Sequence, residues 1–267
     1  MSVFSKVMRP TDGSVWITGA SAGIGRAVAL DLAAAGWRVY ATARRAEPLS
    51  ELAAEAAERT GRDGIVPMPG DVTSPEDMRT VVDRICADGP LALAIFNAGI
   101  YTPMRAQNFR ATEAQRMFDV NLGGVANGLE PVMAHMIGRQ DGHIALVASV
   151  AGYRGLPDAA AYSATKAGLI AMAEALAMDL VGQGVRISVI NPGFVETDAT
   201  SVNDFKMPML MQPAQAAAKI VEGLGKPGFE IRFPWQFALI LRAIGLLPNR
   251  AYIWTVRKAL GWDKLDR

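Results

Sequence analysis

From residue 14 to residue 190, short apolar or β-branched runs alternate with longer alanine-rich stretches. The runs are Ser14 to Thr18, Trp37 to Thr42, Ile65 to Met68, Leu91 to Asn97, His143 to Ser149 and Arg186 to Ile190. Each has the length and the flanking turn residues of a buried strand. Helical patterns fill the intervals, the first over Gly23 to Ala35. Strands buried on both faces and separated by helices predict an α/β fold with a parallel sheet covered on each side. Gly36, Gly89, Gly142 and Gly184 stand just before strands, where a left-handed turn is wanted. Near Pro192 the rhythm weakens, and Met, Pro and aromatic residues take over. The pattern predicts a single domain over 1–267, with a variable lid at about 194–212 and a C-terminal helical extension, apolar and basic, at about 230–267. There is no internal repeat.

Composition narrows the partners. With 27 Lys and Arg against 26 Asp and Glu, the chain has no basic field to gather nucleic acid, and no nucleic-acid partner is expected. The single cysteine, Cys86, has no internal disulfide partner and reads as a small apolar filler. Met1 to Pro10 carries Lys6 and Arg9 but no apolar run suited to secretion, so a cytoplasmic location is the expectation. His135 and His143 have no ligand cluster beside them, and no metal site is expected.

Chemistry enters at the turn Thr18-Gly19-Ala20-Ser21-Ala22-Gly23-Ile24-Gly25, between the first strand and the first helix. Glycines there let backbone amides approach a pyrophosphate, and the helix aims its positive end at the anion. An acidic residue closing the second strand would hold the ribose hydroxyls of NAD, but Ala43 stands there, followed by Arg44 and Arg45. A guanidinium grips a 2′-phosphate through paired, charge-assisted hydrogen bonds, so NADP(H) is favoured over NAD(H). Ala22 offers no basic side chain, which leaves the preference mainly on Arg44.

Tyr162 and Lys166, four residues apart in an alanine-rich stretch, share one helix face. A fixed ammonium beside a phenol would favour the phenolate and lower its pKa, letting Tyr162 exchange a proton with a substrate oxygen. Ser149, at the end of the fifth strand, would hydrogen-bond that oxygen. It would position and not attack, since no glycine elbow precedes it and no histidine base is evident.

The spacing Thr-Gly-x-x-x-Gly-x-Gly, followed in order by Asp71-Val72, Asn97-Ala98-Gly99, Asn121, Ser149, Tyr162 with Lys166, and Pro192-Gly193 with Thr197, resembles the short-chain dehydrogenase/reductase family over about two thirds of the chain. The resemblance implies a Rossmann-type doubly wound sheet and a catalytic set of Asn121, Ser149, Tyr162 and Lys166. In that set Asn121 keeps a water linked to Lys166 for proton relay, although by itself it also reads as a polar helix residue satisfying nearby backbone. Lys166 is further implied to hold the nicotinamide ribose. Asp71 and Val72 would flank the adenine, and Asn97, Ala98 and Gly99 would support the backbone beneath the ribose. The cofactor wall would comprise these with Gly19, Ser21, Ala22, Gly23, Ile24, Gly25, Arg44, Arg45, Tyr162, Pro192, Gly193, Val195 and Thr197. Homodimers or homotetramers are implied, with the small-residue helix after Tyr162 as a candidate contact.

The expected activity is hydride transfer between NADP(H) and a carbonyl or alcohol carbon, reducing a hydrophobic ketone such as a 3-oxoacyl or lipid-like compound. Met207, Met209 and Met211, among Phe205, Pro208 and Leu210, suit an irregular apolar ligand or pack on the chain's own core or a neighbour. A nucleotide-sensing or scaffolding protein without turnover is the competing class; Ser149, Tyr162 and Lys166 together argue against it. The tail is apolar from Trp235 to Leu247 apart from Gln236 and Arg242. Past Pro248 it carries Arg250, Tyr252, Trp254, Arg257 and Lys258, with no acid between Glu230 and Asp263. The apolar run is too short to span a bilayer. It either packs within the protein or oligomer, caps the pocket, or gives the protein peripheral membrane contact with its tryptophans at the headgroups.

Overall fold

In the computed structural model, which describes residues 6–201 and 207–259, alternation within the strands lets one sheet carry two cores. Along β1 (Ser14–Thr18), Val15 and Ile17 join the core on one face and Trp16 joins the core on the other. β2 (Val39–Thr42) does the same, with Val39 and Ala41 against Tyr40. The remaining strands are β3 (Ile65–Pro67), β4 (Leu91–Phe96), β5 (Gly142–Val147), β6 (Val185–Pro192) and β7 (Glu230–Phe233). All pair in parallel, in the order β3-β2-β1-β4-β5-β6-β7. Residues 202–206 of the expected lid, Phe205 among them, and 260–267 of the tail lie outside the described residues.

Helices α1 (Gly23–Ala34), α2 (Ala46–Thr60) and α7 (Pro213–Leu224) cover the first face through positions such as Val28, Leu49, Leu52 and Ile220. The second face is covered by α3 (Pro75–Asp88), α5 (Gly124–Arg139) and α6 (Ala160–Asp179), through Met78, Val81, Leu129 and Leu169. Local signals set their ends. Ser74 Oγ accepts from the Asp77 N–H at 3.1 Å to open α3, with Pro75 in its first turn, and Gly61 at φ 67° closes α2. On the second face Trp16 meets the Phe96 edge at 5.5 Å, and Cys86 packs partly buried against the same core. α4 (Ala111–Phe118) packs on α6 through Ala114, Met117 and Ala161.

The doubly wound parallel sheet is as expected, with most strand ends one or two residues from the expected bounds. β2 begins at Val39, because the Trp37 N–H is engaged by the Leu32 carbonyl at the end of α1. β5 ends at Val147, two residues before Ser149. The rhythm expected to fade after Pro192 continues through α7 and β7, an edge strand of four residues with two charged positions that gives little apolar signal. The tail folds as α8 (Trp235–Gly245) and α9 (Asn249–Ala259).

Away from the carboxyl edge, β5 and β6 bury His143 opposite Arg186. His143 Nε2 hydrogen-bonds Ser188 Oγ at 2.8 Å, and Arg186 donates to the carbonyls of Lys6, Lys226 and Gly228. Burial, reinforced by the Arg186 charge, holds the imidazole far below its ordinary range. On acidification the unfolded chain therefore takes up the proton first, and stability present above about pH 6.5 is lost as pH falls. His135, depressed by partial burial, acts in the same direction. Urea midpoints should decline from pH 6.5 to pH 5, and His143→Gln should show a visibly shallower decline. Identical slopes in the two proteins would refute this role.

Candidate active site

The carboxyl ends of β1 to β6 border a cavity of about 1040 Å³, centred where the strand order reverses between β1 and β4, the place where open parallel sheets receive ligands. Thr18 Oγ1 accepts from the N–H groups of Asn97 at 3.0 Å and Ala98 at 3.1 Å. Asn97 Nδ2 donates back to the carbonyls of Thr18 and Gly19, both at 3.1 Å. This cross-tie brings the two turns into contact: Gly19 has φ 68°, and a Cβ there would stand 2.7 Å from the Ala98 Cα. Gly25 sits behind the wall, where a Cβ would overlap the Gly19 carbonyl oxygen and the Asn97 amide. Glycine is therefore a geometric requirement at both positions. Ser21, Ala22, Gly23 and Ile24 line the cavity, and no side chain caps α1 at Ala22, so its first amides face an anion-sized space.

Beyond β2, Arg44 and Arg45 line the same cavity, are exposed, and make no ion pair among the described residues. Asp71 Oδ1 accepts from the backbone N–H and hydroxyl of Thr73, each at 2.9 Å. Val72 packs on Gly124, where a Cβ would fall 2.7 Å from Val72 Cγ2. On the far side Pro192, Gly193, Val195 and Thr197 complete the lining, and the Thr197 methyl lies over Gly23.

At the other end Ser149 opens a 3-10 turn, its Oγ accepting from the Ala151 N–H at 3.1 Å. Gly152 lets that turn press on α6, since a Cβ there would meet the Lys166 backbone at 2.7 Å. The Ser149 hydroxyl is hydrogen-bonded to the Tyr162 phenol, whose ring packs edge-on against Tyr101 with centroids 4.9 Å apart. Lys166 Nζ donates to the Val147 carbonyl at 2.8 Å and lies 5.6 Å from the Tyr162 ring centroid.

The expected electrostatics of this pair are corrected. Burial pushes the Tyr162 phenol up, and the Ser149 hydrogen bond is what pulls against it. Burial also pushes Lys166 down, to about 8. Both groups lie in one desolvated wall, and the ammonium directs its hydrogen bond at Val147 while meeting Tyr162 over the ring. The phenol is accordingly protonated at neutral pH.

Asn121 bonds nearby backbone, one of the two readings that its sequence allows. It lies in a π-helical turn, Asp119–Gly123, between α4 and α5, and is fully buried behind the wall. Its Oδ1 accepts from the Ile100 N–H at 2.8 Å, and its Nδ2 donates to the Ile100 carbonyl at 3.0 Å and Thr165 Oγ1 at 3.1 Å. The amide thus fixes the loop after β4 to α6. Gly99 lies between Asn121 and Lys166: a Cβ there would be 3.3 Å from Asn121 Oδ1 and 3.5 Å from Lys166 Nζ.

Several wall residues went unread in the sequence. Tyr101 follows the quoted Asn97-Ala98-Gly99 run by two positions. Thr112, Gln115, Arg116 and Asp119 line the cavity, and their i, i+3, i+4, i+7 spacing was an available helix-face signal. Met207, Met209 and Met211 do not reach the cavity; Met211 pairs through its backbone with Phe194 and Glu196.

The loop joining Ser149 to Tyr162 is held from outside by the tail. Arg154 donates to the carbonyls of Gly245 at 2.6 Å and Leu247 at 2.7 Å and stacks 4.0 Å from the Tyr252 ring centroid. The Tyr252 hydroxyl donates to the Gly155 carbonyl at 2.7 Å. Glu230 accepts from Tyr153, Asn191 and Arg232 and pairs with Arg242 at 2.9 Å. Burial pushes the Glu230 carboxyl up, but the Tyr153, Asn191 and Arg232 hydrogen bonds and the Arg242 charge outweigh it, and the net direction is down.

A family model described as short chain dehydrogenase matches residues 14–206. The chain is 38% identical over 234 residues to an uncharacterized oxidoreductase of Myxococcus xanthus, covering 87% of this chain and 92% of that one. It is 36% identical over 186 residues to a 3-oxoacyl-[acyl-carrier-protein] reductase of Escherichia coli, covering 69% and 74%. A crystal structure of a short-chain dehydrogenase from Streptomyces avermitilis superposes with a TM-score of 0.76 at 26% identity, covering 96% of this chain and 98% of that one.

The buried ammonium gives a direct check. In the cofactor-free protein with ¹⁵N-labelled lysine, one side chain should titrate near pH 8, against about 10.4 for an unperturbed lysine. The signal should vanish in Lys166→Met. If every lysine titrated above pH 10, the assigned burial would be wrong.

Proposed function

The chain belongs to the short-chain dehydrogenase family, and from that premise we propose that it is an NADP(H)-dependent reductase of hydrophobic ketones such as 3-oxoacyl or other lipid-like compounds. The family's chemistry makes it an oxidoreductase. One observation carries the finer reading: Ser149, Tyr162 and Lys166 meet at one end of a cavity whose other end is a glycine cradle.

That cradle fits a dinucleotide. Backbone approach is free where a Cβ at Gly19 would collide, and the uncapped start of α1 suits a pyrophosphate. Arg44, without an ion-pair partner among the described residues, suits a 2′-phosphate. Asp71 and Val72 would border the adenine, and Lys166 would hold ribose hydroxyls. A bound nicotinamide supplies the hydride that the carbonyl carbon receives. Ser149 donates a hydrogen bond to the carbonyl oxygen and orients it. Tyr162 gives that oxygen its phenolic proton, so the ketone gains one hydride and one proton and becomes an alcohol. A phenol kept protonated by burial carries the proton that this step delivers. Lys166, with its ammonium on the Val147 carbonyl and over the Tyr162 ring, supplies a charge that steadies the phenolate left by this transfer. Asn121 acts through the Ile100 loop, as a positioning residue.

Ile100, Tyr101, Val147, Ala148 and Val195 give the substrate end an apolar lining, and relatives carrying the 3-oxoacyl reductase name support an acyl-bearing ketone. The same reading takes the protein to work as a cytoplasmic homodimer or homotetramer, with exposed Ala164, Ala167 and Ala171 of α6 at the contact.

Following NADPH absorbance with 3-oxoacyl thioesters of increasing chain length tests the reading. Tyr162→Phe should lower kcat by about 10²- to 10⁴-fold while NADPH still binds. A parent protein that binds NADPH yet turns over no ketone would favour the nucleotide-sensing alternative. Arg44→Asp should shift the NADPH-to-NADH ratio of kcat/KM by about tenfold or more, the loss of a charge-assisted hydrogen bond. Unaltered discrimination would mean that another group reads the phosphate.

A further inference from the structure

The tail helices are held by few side chains and leave much apolar surface outside. Ala238 of α8 and Tyr252 and Val256 of α9 are buried, and Phe237 packs on Phe194 with ring centroids 5.6 Å apart. In contrast Trp235 and Leu239, four residues apart on one side of α8, are 60% and 54% exposed, and Leu246, just past the helix end, is 88% exposed. On α9, Ile253 and Trp254 are 56% and 61% exposed. No residue of either helix lines the cavity, so neither helix caps it.

Charge decides what this face fits. Basic residues flank the exposed apolar ones: Arg250 lies one turn before Trp254, and Lys258 lies one turn after it with its ammonium 4.8 Å from a Trp254 ring centroid. Arg242 and Arg232 share the one carboxylate, Glu230, and no acidic residue follows until Asp263. A two-fold contact with a second copy would pair one part of this patch with another, and the patch offers its cations no carboxylate beyond the shared Glu230. An anionic lipid surface meets both halves of the pattern, apolar side chains entering the acyl boundary and cations snorkelling to phosphate. Among the described residues no helix is long and apolar enough to cross a membrane.

We propose that the α8–α9 segment is a peripheral docking face for anionic membranes. Trp235, Leu239, Leu246, Ile253 and Trp254 enter the headgroup boundary, and Arg250 and Lys258 engage lipid phosphates. Because Arg154 and Tyr252 bind this segment to the loop between Ser149 and Tyr162, docking holds the substrate end of the cavity beside the bilayer. The inference does not rest on the assigned chemistry.

The test uses the full chain with sedimenting vesicles of phosphatidylcholine alone or mixed with phosphatidylglycerol. Binding should require phosphatidylglycerol and weaken as salt rises. The double charge reversal Arg250→Glu with Lys258→Glu should lower the partition coefficient about tenfold or more, and Leu239→Gln with Trp254→Gln should lower it to a similar extent. Brominated lipid should quench the fluorescence of the unaltered protein, and the quenching should drop in Trp254→Phe, a reading that needs no destabilising variant. Absence of binding to phosphatidylglycerol vesicles would overturn the proposal. So would a charge-reversed protein that pellets like the parent. Loss of a dimer in Leu239→Gln with Trp254→Gln, read by light scattering without lipid, would assign the face to a second copy instead.

Discussion

The cross-tie between Thr18 and Asn97 is the constraint on which the site depends. At the β1–β4 junction the chain reverses its direction of travel across the sheet, and the helices that follow diverge to opposite faces. That divergence opens a crevice at the carboxyl edge. The Thr18 hydroxyl and the Asn97 amide keep the two strand ends in contact beneath it, and the glycines at 19 and 25 allow the backbones to touch. A side chain at either glycine would separate the glycine turn from the Asn97 turn, and the cavity would lose its floor.

The chemical end relies on desolvation instead of close backbone packing. Lys166 is buried with one carbonyl partner, and the phenol beside it is pushed up instead of being drawn down. Such an arrangement keeps an acid loaded and leaves the neighbouring amine close to neutrality. Buried charge of this kind costs stability, and Gly152 and Gly99 let the surrounding backbone pack close to Lys166 while the Asn121 amide holds the Ile100 loop.

Outside the cavity, the same loop that carries Tyr153 and Arg154 is held by the tail. Glu230 on the edge strand collects a phenol, an amide and two guanidinium groups, while Arg154 caps the end of α8. The tail is therefore a brace for the substrate loop, and its other side is left to solvent or a partner.

Which parts were legible in the sequence follows from the range of the forces involved. The strands from β1 to β6, the glycine turn and the shared helix face of Tyr162 and Lys166 are set by local periodicity and turn chemistry, so the parallel sheet could be read directly, whereas its doubly wound order and the places of Asp71, Asn97 and Asn121 came through the family resemblance. Edge strand β7 was missed because an exposed strand needs only two apolar positions. Only the tertiary structure decided that Asn121 is spent on Ile100 and Thr165, that the lid methionines stay clear of the cavity, and that Tyr162 and Lys166 shift as they do. Those outcomes depend on desolvation and on partners far away in the chain, and no local pattern of residues encodes either.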